Sequence, residues 1–328
     1  MVATTPLIGS PPIYEVVPPD AAERLHAVSR DVYAPVLAAF ARRCLSRLRG
    51  RPDMINLCLA RDGISAFLAQ RALLHADPRR FHGIAPGQVR LAYVSRQLIA
   101  EARWSLAMRA LLAEYLRAQG LAHVSCATLV DVGIHGSIQD ELQRLFPDHE
   151  LRGEYLLYRR CPDDANASRK RGFLVGDAAG GASGNGGGVV GEWACFLRRG
   201  AIHLLEDTWS GLHESVTALR VSAGIADAGT ERRVRAALEP LGARTPISLP
   251  RLELARLKRV ALQGVVEGVA RAARHPPRSA SDLRQRIARL AEWVASTSEP
   301  DSPDAWLWRT IIRQRRESER TWDSFDEE

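Results

Sequence analysis

Residues 127–142 read "ATLVDVGIHGSIQDEL", and they contain the change of hydrophobic pattern that decides the fold. A short apolar run ends at Asp131, a turn with two glycines follows, and an amphipathic segment begins near Ser137. Short apolar runs of this kind are typical of strands that are buried in a parallel sheet. The stretch therefore predicts a strand, a glycine-containing turn and a helix.

The same unit recurs on both sides of this stretch. Apolar runs predict strands at 54–60, 89–94 and 152–159, in addition to the one at 127–132. Amphipathic segments predict helices at 64–76, 95–119 and 137–146. Because strands that alternate with helices need crossover connections, we expect a mainly parallel sheet. We therefore predict a Rossmann-like three-layer α/β fold.

The flanking segments divide the chain into three predicted regions. They are an N-terminal arm and helix at 1–50, with Pro35 breaking or kinking the helix, an α/β domain at 51–225, and a helical C-terminal region at 226–328. Breaks are expected at "RTPISLP" and "RHPPRS" in the last region. The glycine-rich run 176–188 lacks the spacing of a phosphate-binding loop, so a mobile surface loop is favoured over an active-site lid.

The net charge of +7 does not indicate a nucleic-acid partner. Only Lys170 and Lys258 are lysines, which leaves 43 arginines among the 45 basic residues. The arginines are spread along the chain and mixed with acids, whereas nucleic-acid footprints are clustered. An arginine-rich, lysine-poor composition is typical of a GC-rich genome, so the sequence argues against nucleic-acid binding.

The chain shows no targeting, membrane or disulfide pattern. The N-terminus has no signal-peptide pattern and no run of apolar residues is long enough for a membrane span, so we expect a cytoplasmic protein. The five cysteines form no CxxC pair, which argues against a zinc ribbon or a disulfide framework. The oligomeric state is not indicated.

Polar residues follow each of the first three predicted strands. Ligands of parallel α/β sheets bind outside the carboxyl ends of the strands, so these residues are expected to share one pocket. They are Arg61, Asp62, Gly63, Ser95, Arg96, Asp131, Gly133, His135, Gly136 and Ser137.

The turn after Asp131 has the composition of a phosphate site. Glycines permit close backbone approach, a helix N-terminus attracts anions, and the Ser137 hydroxyl can donate to the same ligand. Asp131 and Asp62 are hard oxygen ligands, so Mg²⁺ is expected with a phosphorylated small molecule. The alternative is local structure alone, in which Ser137 caps a helix and the glycines permit a tight turn.

The remaining candidates also have two interpretations. Arg61 is a phosphate clamp oriented by Asp62, or a solvated residue beside a capping Asp62. Ser95 and Arg96 have the same two interpretations, a ligand contact or local structure. His135 is either a general acid or base, or only a polar residue of the loop. Glu206 lies in a predicted helical region that is either part of the site or an exposed amphipathic surface.

Four separated motifs resemble a known domain. "LARDGISAFLAQRAL", "YVSRQL", "VDVGIHGSIQDEL" and "LLEDTWSGLHESV" resemble, in this order, a domain of bacterial proteins that are named HAD-family hydrolases and occur with polysaccharide and glycosyltransferase genes. The resemblance covers residues 54–220. It adds Gln139, the glutamine after the glycine turn, and Glu206, the later glutamate, to the substrate-binding candidates.

Two chemical classes follow from the motif layout, and a third stays open. "LARDGISAFLAQRAL" and "LVDVGIHGSI" lie where phosphoribosyltransferases place their diphosphate and phosphoribosyl loops, although Val132 replaces the second acid. A HAD phosphohydrolase would need an aspartate nucleophile where this chain has Ala60, and alanine cannot form an aspartyl phosphate. We therefore expect phosphoribosyltransferase-like transfer with Asp62, Asp131 and His135 as catalytic residues. The third alternative is a non-catalytic nucleotide-binding or interaction module.

Overall fold

The computed structural model describes residues 17–60, 62–133, 135–161, 163–175, 194–197, 199–210, 220–222, 225–227 and 249–310. Its centre is a five-stranded sheet in which every neighbouring pair is parallel. The strands are β1 (Met54–Ala60), β2 (Val89–Tyr93), β3 (Cys126–Asp131), β4 (Glu150–Leu157) and β5 (Lys170–Val175), in the order β2-β1-β3-β4-β5. The predicted Rossmann-like α/β fold is confirmed.

Nine helices have bounds within the described residues. Their ranges are α1 (Ala21–Val28), α2 (Ala34–Ser46), α3 (Ile64–Ala76), α4 (Arg96–Trp104), α5 (Leu106–Ala118), α6 (Ser137–Leu145), α7 (Arg199–Thr208), α8 (Leu249–Arg274) and α9 (Ala280–Thr297). A π-helical turn, Ser29–Tyr33, joins α1 to α2, so the expected break lies just before Pro35. A short antiparallel pair, β6 (Arg220–Ser222) and β7 (Ile225–Asp227), is separate from the main sheet.

Each face of the sheet is covered by its own helices. Side chains alternate between the two faces of a strand, and β1 divides accordingly. Ile55, Leu57 and Leu59 lie in one core with residues of α4, α5 and α6. Met54 and Cys58 lie in the other core with residues of α2, α3, α8 and α9. Burial on both faces explains why the strands are continuous apolar runs.

Besides the pair β6 and β7, which was not predicted, the structure differs from the predicted elements in two places. The segment 95–119 is two helices, because Ser105 has extended backbone angles and its hydroxyl accepts the N–H of Met108 as the cap of α5. The strand β5 was not predicted. It is one of the two edge strands of the sheet, and it begins with Lys170 and Arg171 rather than with an apolar run.

The predicted N-terminal and C-terminal regions pack on the same face of the sheet. The long helix α8 lies against α1, the π-helical turn, α2 and α3. Gly264 and Gly268 occupy the closest approach, since a Cβ atom on Gly264 would be 2.6 Å from the carbonyl oxygen of His26. The flanking helices therefore share one apolar core with the sheet.

Several sequence predictions fall outside the described residues, namely those for Arg61, the glycine-rich run 176–188 and most of "RTPISLP". The predicted break at "RHPPRS" corresponds to the gap between α8 and α9. Within the described ranges, no helix combines the length and apolar character that crossing a membrane requires.

Candidate active site

The crevice between β1 and β3 is the topological switch point of the sheet. The chain leaves β1 through α3, which covers one face, and leaves β3 through α6, which covers the other face. The two loops therefore diverge at the carboxyl edge and leave a gap between them. Ligands of doubly wound sheets bind in this gap, and the strand order found here places it between β1 and β3.

Three carboxyl groups gather at this crevice. Asp131 ends β3, Asp62 follows β1, and Glu206 comes from α7. The pKa of Asp131 is raised well above its usual value, first by burial and then by the negative charges of Asp62 and Glu206. The N–H group of Val132 donates to Asp131 Oδ1 at 2.8 Å and opposes this shift only in part. The crevice is consequently a place where a cation or a proton is stabilised.

Gly63 brings the start of α3 close to the sheet. Its N–H donates to the carbonyl oxygen of Leu59 at 2.7 Å. A Cβ atom there would be 2.5 Å from that same oxygen and 2.8 Å from the carbonyl oxygen of Val130. Only glycine therefore fits against the backbones of β1 and β3 at this position. The close contact of α3 with the two strands brings Asp62 toward Asp131. The contacts give Gly63 a packing role, and none of them tests its predicted role in phosphate binding.

The helices that begin at the crevice start at glycine. The N-cap residues of α3 and α6 are Gly63 and Gly136, which have no side chain to accept a first-turn N–H. The helices α4 and α5 differ, because the hydroxyls of Ser95 and Ser105 accept from Leu98 and Met108. The first-turn N–H groups of α6 thus have no side-chain cap, which suits an external anion.

The backbone conformation and the neighbouring side chains both require glycine at position 136. Its φ of 61° lies in the left-handed region that glycine adopts readily. A Cβ atom would also be 2.8 Å from the hydroxyl of Tyr155 and 3.0 Å from Cδ of Lys170. The first helical residue, Ser137, is half-buried. Because any side chain at 136 would disturb this packing, Ser137 is the better position for testing a ligand.

The other predicted residues occupy different surroundings. Gln139 is fully buried, and its amide donates to Leu151 O at 2.9 Å while accepting from Tyr155 at 2.8 Å. This side chain fastens α6 to β4. Arg96 is exposed as the first residue of α4, and His135 is exposed in the loop after β3. Ser95 lies at the same sheet edge as Asp62 and Asp131, where its hydroxyl caps α4.

A buried lysine supports the turn before α6, and the sequence reasoning did not find it. Lys170 Nζ donates to Asp164 Oδ2 at 2.8 Å, to a carboxylate oxygen of Asp140 and to the carbonyl oxygen of His135 at 3.3 Å. Its side chain has no exposed area. The signal available in the sequence was its rarity, since the chain has two lysines among 45 basic residues.

The carboxylates fit a cation only together with ligands from a substrate. Among the described side chains, no group of three or more His, Cys, Asp or Glu residues has the arrangement of a metal site. Mg²⁺ is commonly held by one or two carboxylates, with phosphate and water oxygens completing its shell. Asp62 and Asp131 match that requirement in number and in chemistry.

Comparisons with known proteins give no relative for this chain. No family model, no curated protein and no solved structure matches it. The fold and the site define an α/β protein of the doubly wound class with an acidic crevice at its switch point.

Proposed function

We propose that this protein is an enzyme that acts on a phosphorylated sugar or nucleotide, with phosphoribosyl transfer as its reaction. The observation that carries the proposal is the cluster of Asp62, Asp131 and Glu206 at the switch point. Beside it lies the N-terminus of α6, which has no side-chain cap. A sugar phosphate has a matching arrangement, because its anionic group and its ring are separate parts of one ligand.

The phosphate binds at the start of α6. The N–H groups of the first turn and the Ser137 hydroxyl donate to its oxygens, and the helix dipole favours the negative charge. Asp62 and Asp131 would hold Mg²⁺, and the ion would neutralise charge on the diphosphate oxygens. Glycine at Gly133 lets the ligand approach the turn closely, and Gly136 gives the turn the left-handed conformation that precedes α6.

The acidic residues favour transfer at the sugar over attack on phosphorus. When a leaving group departs from a sugar carbon, positive charge develops in the ring, and nearby carboxylates stabilise such a transition state. A phosphohydrolase of the HAD type instead needs an attacking carboxylate, and Ala60 occupies the position of that residue. The charge of the crevice therefore supports ribosyl transfer more than phosphate hydrolysis.

Calorimetric titration of phosphoribosyl diphosphate with Mg²⁺ tests the proposal. Ser137→Ala should weaken binding about tenfold, because one hydrogen bond to a charged ligand contributes about 1.5 kcal/mol. Asp131→Asn should remove the Mg²⁺ dependence of binding. Ser105→Ala is the matched control, since it removes a helix-capping serine outside the crevice and should leave binding unchanged.

The outcomes separate the candidate functions. Release of pyrophosphate in the presence of an acceptor would identify ribosyl transfer, whereas release of inorganic phosphate from sugar phosphates would identify a phosphohydrolase. If the parent protein binds no phosphorylated sugar or nucleotide, the proposal is wrong and an interaction module takes its place.

A further inference from the structure

Two loops at the carboxyl edge of the sheet bring a thiol and an imidazole into contact. His135 lies between β3 and α6, and Cys161 follows the end of β4. The Sγ atom of Cys161 is 3.4 Å from Nδ1 of His135, which is hydrogen-bonding distance for sulfur. A thiol beside an imidazole is the arrangement that cysteine nucleophiles use, because the imidazole can take the thiol proton.

The backbones of both residues are fastened to the same buried ion pair. The carbonyl oxygen of His135 accepts from Lys170 Nζ at 3.3 Å, and the carbonyl oxygen of Cys161 accepts from the N–H of Asp164 at 3.2 Å. Lys170 and Asp164 are joined to each other at 2.8 Å. The thiol and the imidazole are therefore held at adjacent positions by one structural support rather than by two independent loops.

Access distinguishes Cys161 from most of the other cysteines. Cys161 is half-buried and His135 is exposed, so a small molecule can reach the sulfur. Cys44, Cys58 and Cys126 are buried, and burial raises the pKa of each of these thiols. Cys195 is also half-buried, so it serves as the reference cysteine of similar exposure in the same chain.

We infer that Cys161 and His135 form a nucleophilic site for low-molecular-weight disulfides, a reaction different from the proposed transfer. His135 Nδ1 accepts the thiol proton while Cys161 Sγ attacks one sulfur of the disulfide. A new S–S bond forms to Cys161 as the original S–S bond breaks, and the departing thiolate takes the proton from the imidazolium. Cys161 is oxidised, half of the disulfide is reduced to a thiol, and no other reactant is needed.

The test is the rate of modification by glutathione disulfide at neutral pH, followed for each cysteine by peptide mass spectrometry. Cys161 should gain the glutathione adduct faster than Cys195 in the whole chain. His135→Ala should slow the reaction at Cys161 about tenfold, which is below the contribution of a dedicated general base because this pair is open to solvent. His82→Ala, which removes an exposed histidine between α3 and β2, should change neither rate.

The buried cysteines report whether each variant is folded. Cys44 and Cys58 should stay unmodified in all proteins, and His135→Gln replaces His135→Ala if they react. Equal rates at Cys161 and Cys195 in the parent would overturn the inference. So would an unchanged rate at Cys161 in a folded His135 variant, since the imidazole would then take no part.

Discussion

Gly63 and Asp131 determine the crevice together. The missing side chain of Gly63 allows the first turn of α3 to contact the backbones of β1 and β3, and no larger residue fits there. That approach places the Asp62 charge near Asp131, whose pKa is raised by burial and by its acidic neighbours. Because the charged form of Asp131 is disfavoured in the folded protein, this residue reduces stability at any pH where it is ionised.

Replacing Asp131 should change the pH dependence of stability. The folded-state pKa of Asp131 is raised, so the folded protein holds this proton more tightly than the unfolded chain. The unfolding free energy should therefore fall as the pH rises from about 4, the unfolded value, through the folded-state value. Asp131→Asn should remove this fall and be more stable than the parent at neutral pH, as measured by urea unfolding across the pH range.

Asp53→Asn is the control for that measurement. Arg51 lowers the pKa of the exposed Asp53, so its titration lies below the window in which Asp131 acts. At pH values above about 4, the unfolding free energy of the control should change with pH as steeply as that of the parent. If Asp131→Asn keeps the parent slope as well, the acidic cluster does not disfavour the charge on Asp131.

The helix α2 is joined to β4 by a buried group of three charges. Arg43 Nε lies 3.0 Å from Glu154 Oε2, and Arg47 Nε lies 2.5 Å from Glu154 Oε1. Glu154 is 3% exposed, and its burial raises its pKa while the two arginines lower it. These two contacts attach α2 to the sheet through opposite charges.

Glu154→Gln should destabilise the protein by about 3 kcal/mol, because removal of one partner leaves two arginines near the sheet without their counter-charge. Urea unfolding measures the loss. The control is Glu150→Gln on the same strand, where Glu150 pairs with Arg152 in solvent. It should cost less than about 1 kcal/mol. A loss of similar size in both variants would show that the buried group adds nothing to stability.

The sequence predicts the elements whose burial is uniform. The strands β1 and β3 are buried on both faces, and their apolar runs follow directly from that burial. The edge strand β5 has no such run, so hydrophobic pattern alone does not reveal it. The break at Ser105 was also missed. The sequence does not distinguish a serine that caps a new helix from a serine on the exposed face of a continuous helix.

The acids of the crevice could be predicted more readily than the contacts that support it. Asp62 and Asp131 directly follow or end strands, and parallel strands deliver such residues to one edge. The contact between His135 and Cys161 joins two loops that are separated by a helix and a strand. Local sequence pattern does not predict that contact. It depends on Lys170, which binds Asp164, and on the N–H of Asp164, which donates to the carbonyl oxygen of Cys161.

The larger apolar core of the molecule contains residues from both ends of the described part of the chain. The helices α1, α2, α8 and α9 contribute to it together with α3 and one face of the sheet. Gly268 on α8 faces the π-helical turn, where a Cβ atom would meet the carbonyl oxygen of Arg30 and would be 2.5 Å from Cβ of Ala34. The sheet and the flanking helices are therefore expected to unfold together.

Gly268→Ala tests that expectation. Alanine favours a helix by about 1 kcal/mol over glycine, but the new methyl group must separate α8 from the first helices. Overpacking of this kind costs about 1–3 kcal/mol, so the variant should be less stable than the parent. Val266→Ala is the matched control on α8, because Val266 is 38% exposed and its replacement should leave stability nearly unchanged.

Thiol labelling in increasing urea shows which parts of the protein open. Cys44 on α2 reports on the flanking helices, and Cys126 on β3 reports on the sheet. Both thiols are buried in the same core, so both should become reactive at one urea concentration. Gly268→Ala should shift both transitions equally to lower urea, because α8 contacts α3 as well as α1 and α2. Labelling of Cys44 while Cys126 stays protected would instead show that the helices form a separate unit.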